Sequence, residues 1–486
     1  MKKIFLSILI AIIYSQVAMA QIGEPFIHDP STIVECDGKY YTFGTRGGGL
    51  ISEDGWSWHD GAVRPGGGCA PDAMKIDDRY LIVWNRDGDR GESDKDGVIY
   101  TMWNKTLDPN SPLFEYTPEA PVAYTNHFEE TDEDSFAIDA GLLLDPTTGR
   151  LWVSHGTYFG TIRISEIDPK TGLRVEGNVS VDVAIDCEAP ALMYHNGWYY
   201  LLGTHGTCCD GVNSTYNIIV GRSRNVTGPY YDNLGRDMMR GGGKMVINAG
   251  HRKTGAGHFG RFIVADGVEK ASFHWEADMD MGGQSTLAIH PIVWKNDWPV
   301  IEDQFVPGTY DIQSERRGYA LELAVDFVRM ERARTSRAFG TEGSQAEPLQ
   351  KIKEQTLEDV IGGWPTGNID VRCGEYMFRP HQKWTVVPVD GPGYLGGPYY
   401  KIVIEGTNRA LAAAPNKQVI AVPEFTGAPE QLWRIDMLTD GTYRIMPKAA
   451  PGCDEEVCLI SVADSTPGLG KFDFNSDNSK WNFKQR

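Results

Sequence analysis

Three carboxyl side chains stand where an acid needs a reason. They are Asp29 in His28-Asp29-Pro30-Ser31, Asp139 in Ala137-Ile138-Asp139 at the start of an apolar strand, and Glu188 in Cys187-Glu188-Ala189-Pro190 ahead of Leu192-Met193-Tyr194. A buried carboxylate costs free energy unless partners satisfy it. For each one alone, a carboxylate that caps a turn or receives backbone N–H groups is the competing reading. Together they suit one chemistry, because cleavage of a glycosidic bond needs one carboxylic acid to protonate the leaving oxygen and one carboxylate to activate water or attack the sugar. Asp72 and His258 sit in similar short contexts, and the series Asp29, Asp72, Asp139, Glu188, His258 is spaced by 43, 67, 49 and 70 residues.

The elements that would carry these residues are short strands. From residue 23 to about 305, aromatic and β-branched runs such as Lys39-Tyr40-Tyr41-Thr42-Phe43, Tyr80-Leu81-Ile82-Val83-Trp84 and Gly197-Trp198-Tyr199-Tyr200-Leu201-Leu202 recur between Gly, Asp and Asn. Turns of the type Asp37-Gly38, Asp77-Asp78, Thr148-Gly149 and Asn196-Gly197 precede several of them, a hairpin signature. No long helix interrupts the series. Hairpins at this density mean an all-β sandwich, barrel or propeller. About 280 residues divide into five units of about 56, the length of a propeller blade with its loops. In a propeller the innermost strands converge on the axis, so one polar residue per blade reaches a shared pocket. The charged stretches 86–96 and 129–134 read as solvated loops.

Beyond about Val306 the texture changes. Gln382-Lys383-Trp384, Gln431-Leu432-Trp433 and Ser479-Lys480-Trp481 recur at intervals of 49 and 48 residues, which suggests a threefold β-trefoil with the tryptophans in a common core. The first repeat is longer, with room for an inserted helix within residues 347–361. The expected architecture is all-β, a five-bladed β-propeller over 21–305 followed over 306–486 by a β-trefoil-like domain that binds carbohydrate or serves as a structural lid or spacer.

Residues 1–20 read as a secretory signal peptide: Lys2 and Lys3, an apolar stretch from Ile4 to Ile13, then Ala18-Met19-Ala20. The apolar stretch is shorter than the roughly 20 residues a membrane span needs. A secreted or periplasmic protein is expected. The formal charge is -20, and loss of Lys2 and Lys3 makes the mature chain -22. Such a surface argues against nucleic acid or anionic lipid and suits a neutral ligand. The eight cysteines lack the paired spacing of a structural zinc site. Export permits disulfides, with Cys208–Cys209 and Cys453–Cys458 as local candidates and free buried thiols as the alternative.

The first region resembles glycoside hydrolase family 43, and within it the arabinanase-like branch. The matching pieces, in family order, are His28-Asp29-Pro30-Ser31, Ala70-Pro71-Asp72, Ala137-Ile138-Asp139, Glu188-Ala189-Pro190, the run from Cys208 to Tyr216, Gly221-Arg222-Ser223, Thr227-Gly228-Pro229-Tyr230 and Gly255-Ala256-Gly257-His258. The resemblance implies an inverting hydrolase of arabinan-type polysaccharide. Asp29 corresponds to the general base, Glu188 to the general acid, and Asp139 to the aspartate that orients the acid and keeps its pKa high. His28, Asp72, Ser214 and Tyr216 fall in substrate-binding motifs. His258 matches a histidine that helps hold a metal, usually calcium with several waters, on the axis. No organic cofactor is implied. Inversion places water between sugar and base, with the Asp29 and Glu188 carboxyls roughly 6.5–9.5 Å apart.

The chain departs from the family pattern at Cys69, where Trp is frequent before Ala-Pro-Asp, at Ala256 and at Ala140, which often are prolines. These leave the catalytic groups in place and loosen the inference to one sugar. The C-terminal part resembles a ricin-type β-trefoil carbohydrate-binding module, with Ser479 where the repeat has Gln. An exo-acting α-L-arabinofuranosidase, a β-D-galactofuranosidase and a β-xylosidase share the scaffold, which does not decide substrate. A non-catalytic glycan-binding protein would have lost a carboxylate. A phosphorylase would carry Arg or Lys for phosphate in place of the base.

Overall fold

The computed structural model describes residues 22–86, 97–125, 137–250, 252–260, 263–265, 267–301, 305–325, 357–391 and 393–485. The signal-peptide segment and most of the two charged stretches, 87–96 and 129–134, lie outside them. Two compact units form: Met1–Val306 with Asp390–Pro398 and Asp436–Gly441, and Pro307–Val389 with Tyr399–Ile435 and Thr442–Arg486.

In the first unit five antiparallel sheets follow one another along the chain. Blade 1 runs Val34–Cys36, Lys39–Phe43, Gly49–Ser52, Ser57–Asp60, and Ile22–Gly23 adds a parallel edge strand beside Ser57 and Trp58. Blade 2 is Cys69–Ile76, Arg79–Arg86, Val98–Asn104, Ala120–Tyr124; blade 3 is Gly141–Leu144, Leu151–Gly156, Thr161–Ile167, Val181–Ile185. Blade 4 is Glu188–His195, Trp198–His205, Asn217–Ser223, Lys244–Ile247. In blade 5, Lys253–Gly257 and Ile263–Ala265 share the inner edge of Val268–Asp278, followed by Gln284–Lys295 and Trp298–Ile301. Asp37-Gly38 and Asn196-Gly197 make the tight hairpins expected of them, with positive φ at all four residues, a backbone that Asn, Asp and Gly adopt most readily.

Strand alternation sends neighbouring side chains to different cores. Leu81 and Val83 pack toward blade 3 while Ile82 and Trp84 pack toward blade 1. Five apolar clusters result, one at each interface: blades 1 and 2, 2 and 3, 3 and 4, 4 and 5, and 5 and 1. The last joins Ile27, Ile33 and Trp58 to Leu287 and Ile289, and it closes the ring. There the first described residues pair with the fifth blade: Phe26 bridges Thr286, and the Leu287 N–H donates to the Pro25 carbonyl at 2.8 Å. Large aliphatic and aromatic side chains buried this way stabilise by about 1.5–3 kcal/mol each.

The second unit holds twelve strands among the described residues, four per repeat. The fourth strand of each repeat starts at Trp384, Trp433 or Trp481. All three indoles are fully buried. Each donates its ring N–H to a leucine carbonyl, Leu321, Leu411 and Leu459, at 2.7, 2.9 and 2.8 Å. Gln382 and Gln431 accept the Met377 and Thr426 N–H groups at 2.7 Å each, and Ser479 accepts the Asp473 N–H at 3.2 Å, so the shorter side chain keeps the same loop bond. Helix Leu357–Gly362 occupies the long first repeat.

One side chain links three blades. The Asp72 carboxylate accepts from the Thr32 N–H at 3.0 Å in blade 1, the Ala73 N–H at 2.8 Å beside it, and the Leu142 N–H at 2.9 Å in blade 3. Asp72→Ala removes an acceptor that three buried N–H groups use, and a loss of about 3 kcal/mol in unfolding free energy is expected by denaturant titration. An unchanged midpoint with a raised KM would instead make Asp72 a substrate contact.

Candidate active site

Each blade carries a non-glycine residue with left-handed backbone at or near its inner strand: Asp29 (φ 52°), Ala70 (44°), Asp139 (55°), Ala189 (47°) and His258 (51°). Such residues are uncommon and concentrate at functional sites. Here they turn the chain at the axis, and Pro30, Asp72, Asp139, Ala189 and His258 line one axial cavity. The repeated position thus differs from the spacing read in the sequence. Asp72 lies two residues beyond the turn of its blade, and Glu188 one residue before it.

Asp29 is the charged member. Its Oδ2 accepts from the Thr45 hydroxyl at 2.5 Å and lies 2.9 Å from His28 Nδ1. Its Oδ1 is 3.6 Å from His258 Nδ1. The Asp29 N–H donates to His274 Nδ1 at 3.0 Å, which puts the proton of a neutral His274 on Nε2. Burial alone would raise the Asp29 pKa; the bond and charge of His28 outweigh it and hold the carboxyl far below the usual range. His28 has a carboxylate at each ring nitrogen, Asp29 at Nδ1 and Glu276 Oε1 at 3.1 Å from Nε2. Burial opposes its charge, yet these two partners push its pKa up to about 10, so it is an imidazolium.

Asp139 and Glu188 lean the other way. Asp139 is raised well above the carboxylate range by burial and by the Glu188 and Asp29 charges, while the Ala189 N–H donates to its Oδ2 at 3.1 Å. Glu188 is raised to about 7, by burial first and the Asp29 charge after it. The Tyr216 hydroxyl on Oε1 and the Thr157 hydroxyl at 3.3 Å from Oε2 pull it back. The axis therefore sets one carboxyl held far below the usual range against two pushed above it, the kind of separation that marks a base and an acid. The reason differs from the one read in the sequence: dehydration leads, and Asp139 is itself pushed up.

The remaining residues singled out in the sequence are placed as follows. His28 touches the Asp29 carboxyl and Tyr216 the Glu188 carboxyl. Asp72 spends both oxygens on backbone N–H groups, as above. Ser214 donates to the Thr207 carbonyl at 2.8 Å and accepts the Tyr216 N–H at 3.2 Å, so it shapes the turn that presents Tyr216. His258 is buried on the cavity wall, its N–H bonded to Thr204 Oγ1 at 2.9 Å. Burial drops its pKa to about 4, so its ring is neutral, the form that binds metal. Cys208 and Cys209 form a disulfide; Cys453 and Cys458 are free.

Sequence reasoning missed His274 and Glu276. Both stand on Val268–Asp278, two residues apart and so on one face. The criterion used for Glu188, an acid inside an apolar strand, would have flagged Glu276. Also missed were Thr45, Thr157 and the tilted pair Tyr158 and Phe159, ring centroids 4.4 Å apart, on the turn beside Glu188, where Phe159 is 69% exposed.

The family described as Glycosyl hydrolases family 43 matches residues 43–299, more than half of the chain. The chain belongs to this family. As a family 43 member it is a glycosidase. Residues 380–454 match the Ricin-type beta-trefoil lectin domain-like family. The chain is 34% identical over 167 residues to Extracellular endo-alpha-(1->5)-L-arabinanase 1 of Bacillus subtilis, covering 34% of this chain and half of that relative's length. It is 28% identical to Extracellular exo-alpha-(1->5)-L-arabinofuranosidase ArbA of Cellvibrio japonicus, covering 57% of this chain and 87% of that one. The crystal structure of an exo-1,5-alpha-L-arabinanase from a bovine ruminal metagenomic library superposes with a TM-score of 0.51 at 29% identity, over 57% of this chain and 97% of that one.

A general acid works only while protonated, so kcat/KM on a glycoside is expected to fall as pH rises through about 7, where Glu188 ionises. Tyr216 donates to the ionised form and lowers this pKa. Tyr216→Phe should therefore move the alkaline limb to higher pH; a shift to lower pH would show that the hydroxyl does not stabilise the Glu188 carboxylate.

Proposed function

We propose that the mature chain is a secreted or periplasmic glycosidase that hydrolyses α-1,5-linked arabinofuranosyl units of arabinan with inversion. The observation that carries this reading is the opposed protonation of Asp29 and Glu188 around one axial site. Water attacks the anomeric carbon and yields its proton to Asp29, while Glu188 protonates the departing glycosidic oxygen. Asp139, which takes the Ala189 N–H, fixes the backbone beside Glu188. The arabinose assignment is supported by relatives named for the α-(1->5)-L-arabinan linkage, and the extracellular location by two of the same names.

Those relatives include endo- and exo-acting enzymes, so the product profile decides between them. Chromatography after incubation with linear arabinan is expected to show a ladder of oligosaccharides from an open cleft. Arabinose as the sole product makes the enzyme exo-acting, and activity on galactofuranose or xylose polymers alone replaces the sugar assignment. Asp29→Ala and Glu188→Ala variants that are folded should each lose at least about 100-fold in kcat. Full activity in both would refute the mechanism.

A glycan-binding role for the lectin-like unit belongs to the same proposal. Titration calorimetry of Asp29→Ala with arabino-oligosaccharide should find more than one site per chain; a single site removes that role.

A calcium ion beside His258 is the further part of this reading. The wall offers one neutral imidazole, and the Asp72 oxygens already hold backbone N–H groups, so water would complete the shell. The ion would supply fixed positive charge near the axis. Chelation should lower the Tm and added calcium restore it; an unchanged Tm together with no metal by elemental analysis rejects the site.

A further inference from the structure

Glu276 is buried deep beneath the charged end of the site, and nothing in the acid–base chemistry uses it directly. Its Oε1 alone collects three groups. The His28 Nε2–H lies at 3.1 Å, the Cys209 N–H donates at 3.1 Å, and His274 Nε2 stands at 3.6 Å. Burial opposes its charge, and the two imidazoles with the Cys209 N–H overcome this, holding the pKa at about 2. The first two partners arrive from opposite directions. His28 brings Asp29 on its other nitrogen; Cys209 belongs to the turn closed by the Cys208–Cys209 disulfide.

Surrounding residues leave that oxygen little freedom. A Cβ on Gly255 would stand 2.7 Å from Glu276 Cβ and 2.7 Å from Ser214 Oγ, so the carboxylate stem lies directly over a glycine. A Cβ on Gly257 would meet the Tyr216 ring at 2.4 Å and His274 Nε2 at 3.3 Å. His28 and His274 stack with centroids 4.4 Å apart, which fixes the plane of the ring whose Nδ1 faces Asp29.

The geometry points to Glu276 as a positioning residue for the general base: its Oε1 orients His28, and His28 orients Asp29 toward the water it activates. The inference rests on the assignment of Asp29 as base. Position of one oxygen, more than charge, is what this arrangement controls. A misplacement of about 1 Å at a reacting group costs about 100-fold in rate.

The test sets three substitutions in the full chain against one another, assayed on linear arabino-oligosaccharide. Glu276→Gln keeps an oxygen in place without the charge; Glu276→Asp keeps the charge and withdraws the oxygen by one methylene; Glu276→Ala removes both. The expected result is that Gln retains most of kcat, while Asp and Ala fall about 100-fold in kcat with KM little changed. Wild-type kcat in Asp and Ala, or a Gln variant as slow as Ala, overturns the inference. Crystal structures of wild type and Glu276→Asp give a reading independent of turnover. The His28 Nδ1 to Asp29 Oδ2 distance, now 2.9 Å, should open beyond hydrogen-bond reach in the variant, and an unchanged distance also overturns it. If the wild type turned over no glycoside, the Asp29 assignment would fall while that distance still decided what Glu276 holds.

Discussion

Asp29 is a carboxylate kept ionised in a place that has little water. It manages this because His28 carries a full positive charge against it and Thr45 gives it a short hydroxyl bond. Burial opposes the charge on His28, and the carboxylates at its two ring nitrogens, Asp29 first and Glu276 after it, sustain it. Without those contacts the same dehydration that raises Asp139 and Glu188 would raise Asp29 as well. The site therefore depends on the pairing of His28 with Asp29, and the opposed pKa shifts of Asp29 and Glu188 follow from it.

The rest of the first unit exists in a form that brings these groups together. Five segments turn at the axis through left-handed residues, and at three of them the side chain is Asp29, Asp139 or His258. Asp72 ties blades 1, 2 and 3 by backbone bonds close to the same axis. The five apolar interfaces supply rigidity around it. Closure of blade 5 on the N-terminal residues matters most, since it carries His274 and Glu276 to His28 and Asp29 across about 245 residues of chain.

The motif Gly255-Ala256-Gly257-His258 shows how one segment serves several ends. Its glycines leave room for Glu276 and for Tyr216, which reaches Glu188, and its histidine faces the cavity. In the second unit the logic is simpler. Three buried indoles repeat one bond to a leucine carbonyl, and the first repeat tolerates a long insertion because that bond, unlike the loop, defines the core.

The all-β architecture was legible in the sequence because hairpin turns and alternating strands are local, and the trefoil was legible because its tryptophans recur at a nearly constant interval. Asp29, Asp139 and Glu188 stood out for the same local reason, as acids in apolar surroundings. Asp72 stood out equally, yet it is the scaffold's own hydrogen-bond acceptor, and composition cannot separate a carboxylate facing backbone N–H groups from one facing a ligand. His274 was hidden in a strand that reads as ordinary core, while Glu276 in the same strand meets the criterion that singled out Glu188. What the sequence alone determined is which residues can donate and accept protons and which strands carry them. Which of the acids keeps its proton was decided only by tertiary structure, because burial and opposite charge act through space and the ring closes between residues far apart in the chain.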